Sequence, residues 1–244
     1  MSLLLSVEEK SLGEVLKKAI LPPDISFFGI GVHPSFYSAL IVTGIILFAA
    51  LLIRIFVIPK FKTVPGKFQA ILEWIVSFFA GMAKNNSPHH NKYLGRFVFS
   101  AAMYIFFGTL IELMGFPAVL VDINASIGIA LFAYGSILIG GTITNGKKGT
   151  LSALKDFSLP ISMTFRLFGN MLSGLLVTEL VYHYLALSFV VPVIVAVLFT
   201  LLHAVMQTYI LTILTSMFYG EAAEPRLIKP KKEKKKRASL ASST

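Results

Sequence analysis

The stretch Pro160–Glu179, PISMTFRLFGNMLSGLLVTE, places one arginine, Arg166, in a long run that up to Glu179 is otherwise apolar, small or weakly polar. A lone charge at the bilayer centre costs at least ~2.5–3.5 kcal/mol on insertion scales, so chains keep one where it faces a protein interior or a water-filled cavity. There a fixed cation can attract, displace or exclude an ion. The plainer reading is an arginine paired with a nearby carboxylate, or one that snorkels to the interface. Its own segment offers no acid within two helical turns, and the position is deep in the run, which favours the functional reading. Ser162, Asn170 and Ser173 share the face of Arg166 at helical spacing, with Gly169 and Gly174 beside them. Small residues there are explained by close helix packing. The arginine is not.

Other polar residues lie in similarly apolar surroundings. Thr200, His203 and Gln207 share a face near the end of the chain, and Glu179 follows Arg166 on its own segment. Glu112 is either a partner for a cation or part of a hydrophilic pathway. Asp122, in DIN, serves equally as a helix cap or as a functional acid. His89 and His90 are adjacent in NNSPHHNK, but no third ligand stands at suitable spacing, so a solvated loop is the better reading than a metal site.

These residues need elements to hold them. The chain is 55% hydrophobic and 14% charged, with its apolar residues in long blocks. That composition points to an all-α membrane protein, since only helices and closed barrels satisfy every backbone polar group in lipid. A barrel would show short alternating segments instead. With no cysteine, disulfide and thiolate-metal chemistry are excluded.

Five transmembrane helices are expected, at about 36–58, 97–120, 123–142, 158–185 and 191–219. Lys67–Met82 adds an interfacial helix too short in its apolar run to span. The second and third spans form a hairpin through the short connection at Asp122, and Asn145–Asp156 is expected to be a polar loop. The last two helices are longer than the hydrocarbon is thick, so they should tilt strongly. They form a hairpin too, with a turn near Leu185–Pro192. If that turn centres on residue 187, Arg166 and Gln207 reach similar depth.

Residues 1–35 read as a mixed N-terminal segment with a short amphipathic helix, 36–222 as the membrane domain, and 223–244 as a basic tail. Leu3–Leu5 is too short for a signal-peptide core, so no cleaved signal is expected. The net charge of +10 falls in three zones: Pro59–Arg96, Asn145–Asp156 and the tail. With the first helix running outside to inside, all three lie in the cytoplasm and the two short connections outside hold no Lys or Arg. The tail then reads as a segment attracted to anionic lipid, and nucleic acid is not an expected partner. On the residues alone, a secondary transporter with an intramembrane arginine site is the alternative. It would usually show an internal repeat, and none is visible. An intramembrane metalloprotease would need an HExxH pair, which is absent.

The run PISMTFRLFGNMLSGLLV, with PGKFQAILEW before it, VDINASIGIAL at Asp122 and HAVMQTYILTILTSMFY in the last helix, resembles subunit a of the F-type ATP synthases over residues about 30–222. The resemblance implies a non-catalytic stator subunit without a cofactor, set beside the rotating c-ring and the subunit b stalk in the bilayer of a bacterial inner membrane. By the resemblance, Arg166 faces the c-ring carboxylate, forces it to release H⁺ or Na⁺, and separates two offset aqueous half-channels. By the same resemblance Gln207 matches the polar partner at the depth of that arginine and Asn170 the Asn of the RLFGN motif, while Glu112 and Asp122 fall where outward-channel carboxylates are placed. Two positions depart from the pattern. Leu175 stands where many members carry Glu or His, with Glu179 one turn on. Thr200 stands where some carry His, with His203 one turn on.

Overall fold

The structure is a computed structural model, and it describes residues 25–27, 30–88, 91–184 and 190–223. The amphipathic N-terminal segment, His89 and His90, the turn between the last two helices and the basic tail lie outside the described residues.

A two-stranded antiparallel ribbon, β1 (Ile25–Phe27) and β2 (Ile30–Val32), sets Ile25 opposite Val32. Helix α1 (Ser35–Leu52) follows. It widens into a π turn at Ile53–Val57 and tightens into a 3₁₀ turn at Ile58–Lys60. Pro59 accounts for the irregularity, because it has no N–H to donate and its ring crowds the preceding turn. Helix α2 (Lys67–Asn86) returns along α3 (Asn91–Leu110). Phe79 and Ala83 of α2 pack there with Leu94, Val98 and Ala102 of α3.

Beyond α3 a 3₁₀ turn, Ile111–Met114, ends at Gly115, whose φ of 84° is the left-handed cap that glycine adopts at least cost. The helix expected at 97–120 therefore starts earlier and stops before Leu120, which belongs to a separate buried turn, Val119–Val121. Helix α4 (Ile123–Lys155) runs through the stretch expected as a polar loop. It breaks at Gly146 (φ 56°, ψ −144°) and continues helical afterwards. The polar composition had suggested a loop, but one glycine supplies the whole change of direction.

Helices α5 (Ser158–Tyr184) and α6 (Val190–Ala223) are the expected long pair. Helix α6 packs against α2, α3, α4 and α5 and is the spine of the bundle. Three contacts bring backbones together at glycine. The ring of Tyr219 lies where a side chain at Gly140 would be, the Asn86 carbonyl lies against Gly220, and the His203 ring lies over Gly174.

The bundle is apolar outside and partly polar within. Phe132, Trp74, Phe48 and Phe165 are exposed, whereas Thr200, Gln207, Thr208, Thr212, Thr215 and Ser216 on α6 are buried. Several of these hydroxyls return to the backbone: Thr212 Oγ1 donates to the Thr208 carbonyl (2.8 Å) and Ser216 Oγ to that of Thr212 (2.7 Å). This distribution suits a bundle whose solvent is lipid. Among the described residues, four helices are long and apolar enough to cross a membrane: Ser35–Lys60, Lys92–Met114, Ile123–Gly146 and Val193–Ala223. The protein is a helical membrane protein, and α5 stands apart from these four through its polar residues.

Candidate functional site

Helix α5 presents two different faces. Met163, Leu167 and Met171 turn inward to a core shared with Leu211 of α6 and Ala130 and Ala133 of α4. On the opposite side Ser162, Arg166, Gly169 and Ser173 are exposed. Among the described residues, Arg166 makes no hydrogen bond and no ion pair. A guanidinium carries five donors and keeps its charge at any working pH. At this position it needs water or an acid from outside the described residues.

One turn along α5, the side chain of Asn170 turns toward α6. Its Nδ2 donates to Oε1 of Gln207 at 3.0 Å, and Gln207 is only 2% exposed. This bond fixes the register of the hairpin. Gln207 is level with Asn170, so it stands about one helical turn, ~6 Å, from the depth expected opposite Arg166. Equal spacing about residue 187 set Gln207 opposite Arg166, whereas the observed bond pairs it with Asn170.

A further turn along, Gly174 meets His203. A Cβ at Gly174 would stand 2.8 Å from Cε1 of the imidazole, so only glycine lets the ring lie flat against α5. His203 Nδ1 is 2.7 Å from the Phe199 carbonyl. A carbonyl can only accept, so Nδ1 carries the proton and Nε2 is the nitrogen that can take up another. Beside this ring Glu112, Thr200, Thr178 and Leu175 line a cavity of about 10 Å³, close to the ~10–15 Å³ that holds one water. Glu112 comes from the 3₁₀ turn that follows α3, and His203 from α6. Together they offer two groups able to exchange a proton across one small polar space.

Three successive levels of the α5–α6 hairpin are therefore polar: Arg166, then Asn170 with Gln207, then Gly174 with His203 and Glu112. Glu179 is half-buried further along and does not line the cavity. Asp122 caps α4, its Oδ1 accepting from the Asn124 N–H at 2.9 Å and its carbonyl from the Ser126 N–H at 3.1 Å. Sequence reasoning had not assigned Thr178 a role. Its spacing of four from Gly174 was the available signal. Among the described residues no group of three His, Cys, Asp or Glu could hold a metal ion.

Comparison with known proteins adds an independent observation. A family model described as ATP synthase A chain matches residues 37–220. An ATP synthase subunit a from Beijerinckia indica is 28% identical over 228 residues, covering 80% of this chain and 90% of that protein. A protein of the same description from Parvibaculum lavamentivorans is 27% identical, covering 66% and 75%. One from Rhodopseudomonas palustris is 26% identical, covering 72% and 84%.

Proposed function

Since the chain belongs to the ATP synthase A chain family, we propose that it is the ion-conducting stator subunit of a rotary ATP synthase, with Arg166 facing the carboxylate of the c-ring. The observation that carries this reading is the exposed Arg166 on the Ser162–Ser173 stripe, without a partner among the described residues. The guanidinium supplies a permanent cation, and a cation within ~4–6 Å lowers the pKa of an opposing carboxylate. A ring site arriving at Arg166 therefore gives up its ion, and an ion cannot pass the arginine directly.

The cavity of Glu112, Thr200 and His203 supports a place on one aqueous half-channel, where Glu112 and His203 hand ions toward the ring by way of the Asn170–Gln207 level. In this reading Glu112 supplies the carboxylate that Leu175 does not, and Glu179 and Asp122 stand further out on the same route. A second half-channel opens on the other side, offset from the first. The membrane carries five spans, because α5 crosses with its polar stripe against the ring in place of lipid, steeply inclined together with α6. The N-terminal segment faces outward and the basic tail the cytoplasm of a bacterium. The subunit b stalk completes the stator, and ATP chemistry resides in other subunits.

The chain contains no cysteine, which makes cross-linking direct. In the assembled complex, Ser162→Cys and Ser173→Cys should each form a disulfide with a cysteine on the outer helix of the ring, whereas Leu167→Cys on the inward face should not. Equal cross-linking from Leu167→Cys, or none from the stripe, would refute this placement.

A further inference from the structure

A second charged feature lies away from the ion path, where the span Ser35–Lys60 ends. Lys60, Lys62 and Lys67 line a pocket of about 560 Å³ together with Phe56, Phe61 and Phe68. Its shape is held by one side chain. Gln69 Nε2 donates to the Lys62 carbonyl at 3.0 Å and Gln69 Oε1 accepts from the Lys62 N–H at 3.1 Å. The amide thus pins both backbone groups of residue 62 against the start of α2 and keeps the three lysines around one space. Glu73, the acid one turn along, is engaged by Gln69 Nε2 at 2.6 Å. Among the described residues no acid forms an ion pair with any of the three lysines.

We propose that this pocket holds one anionic phospholipid, its phosphate among the three ammonium groups and an acyl chain along Phe56. Two observations favour lipid over an acidic protein segment. Phe56 and Phe68 are each 59% exposed, and an apolar wall beneath a basic rim matches a headgroup joined to a hydrocarbon chain. The pocket also begins within the span and ends beyond it, so it straddles the level where headgroups lie. Basic pockets at this depth recognise anionic headgroups by charge. The inference is independent of the role given to Arg166.

The test uses the assembled complex in vesicles containing a photoreactive phosphatidylglycerol, with labelled peptides mapped by mass spectrometry. Labelling of the peptide spanning residues 56–69 is expected, and a photoreactive phosphatidylcholine should give background only. Each of Lys60→Gln, Lys62→Gln and Lys67→Gln should reduce labelling roughly fivefold, the equivalent of ~1 kcal/mol per charge. Gln69→Ala should weaken it with all three charges kept, because Lys62 is released. Unchanged labelling in the single Lys variants, equal labelling by phosphatidylcholine, or unchanged labelling in Gln69→Ala would each overturn the proposal. Loss of labelling to inorganic phosphate at constant ionic strength would assign the site to free phosphate. Labelling of the isolated chain but not of the complex would assign it to another subunit.

Discussion

Asn170 and Gln207, 37 residues apart in sequence, are joined across the α5–α6 hairpin by a 3.0 Å amide–amide hydrogen bond. The bond lies one turn from the exposed Arg166 and one turn from the contact of His203 with Gly174. It separates the charge that meets the outside of the chain from the small polar cavity within.

Deleting Asn170 leaves the buried Gln207 amide without this bond, and deleting Gln207 does the same to the half-buried Asn170. Asn170→Leu and Gln207→Leu should each destabilise the subunit by ~1–3 kcal/mol. The double variant should lose less than the sum, with a coupling of ~0.6–1.7 kcal/mol, the range found for polar pairs between membrane helices. A double-mutant cycle on detergent unfolding measures it. Strict additivity would mean that the two amides do not depend on each other.

Gly174 has a steric role with a clear control. Gly174→Ala places a carbon against the His203 ring, so the ring or the helix must move, and ATP-driven pumping should fall sharply. Gly135→Ala meets nothing within 4 Å and should leave assembly and pumping unchanged. Vesicle pumping assays on both variants compare them.

Gly146 should be intolerant for a different reason. At φ 56°, ψ −144° the backbone occupies a region that is essentially glycine-only, and another residue there costs ~1–3 kcal/mol. Gly146→Ala should lower the melting temperature of the complex, or straighten α4 and loosen the bond from Asn145 Nδ2 to the Ala222 carbonyl (3.2 Å). A melting curve equal to that of the wild type would contradict the strained geometry.

The cavity predicts a graded effect on conduction. Glu112→Gln keeps the shape and removes the exchangeable carboxylate, and raising the barrier by ~1.4 kcal/mol would slow passive conduction about tenfold. Glu179→Gln, outside the cavity, should slow it less. Ion flux through the membrane sector after removal of the soluble head separates the two, and the reverse order would move the path away from Glu112.

Much of this arrangement was legible in the sequence because lipid leaves so few ways to place polar residues. Long apolar blocks marked the helices, and the bounds of α5 and α6 were read nearly as observed. Asn170 and Gln207 were chosen as polar residues on facing helices, and the structure joins them. What failed were the breaks. Gly115 ends a helix inside an apolar run, where hydropathy continues unchanged to Leu120. At Gly146 the helix breaks and then resumes, so the polar stretch expected as a loop is largely helical. The register of the hairpin was missed by one turn because it depends on a connection whose centre composition does not mark. The fit of His203 over Gly174 depends on that register and was hidden with it. Asp122 remained open between cap and functional acid, and its capping bonds to Asn124 and Ser126 are now explicit.

The most direct measurement is ATP-driven ion pumping in membrane vesicles carrying Arg166→Ala, after the complex is shown to be assembled and hydrolysing ATP. Pumping should be abolished and a passive leak should appear through the membrane sector, with Gln207→Ala and Glu179→Gln impaired less. Normal pumping by assembled Arg166→Ala complexes would contradict this and leave the arginine a structural residue.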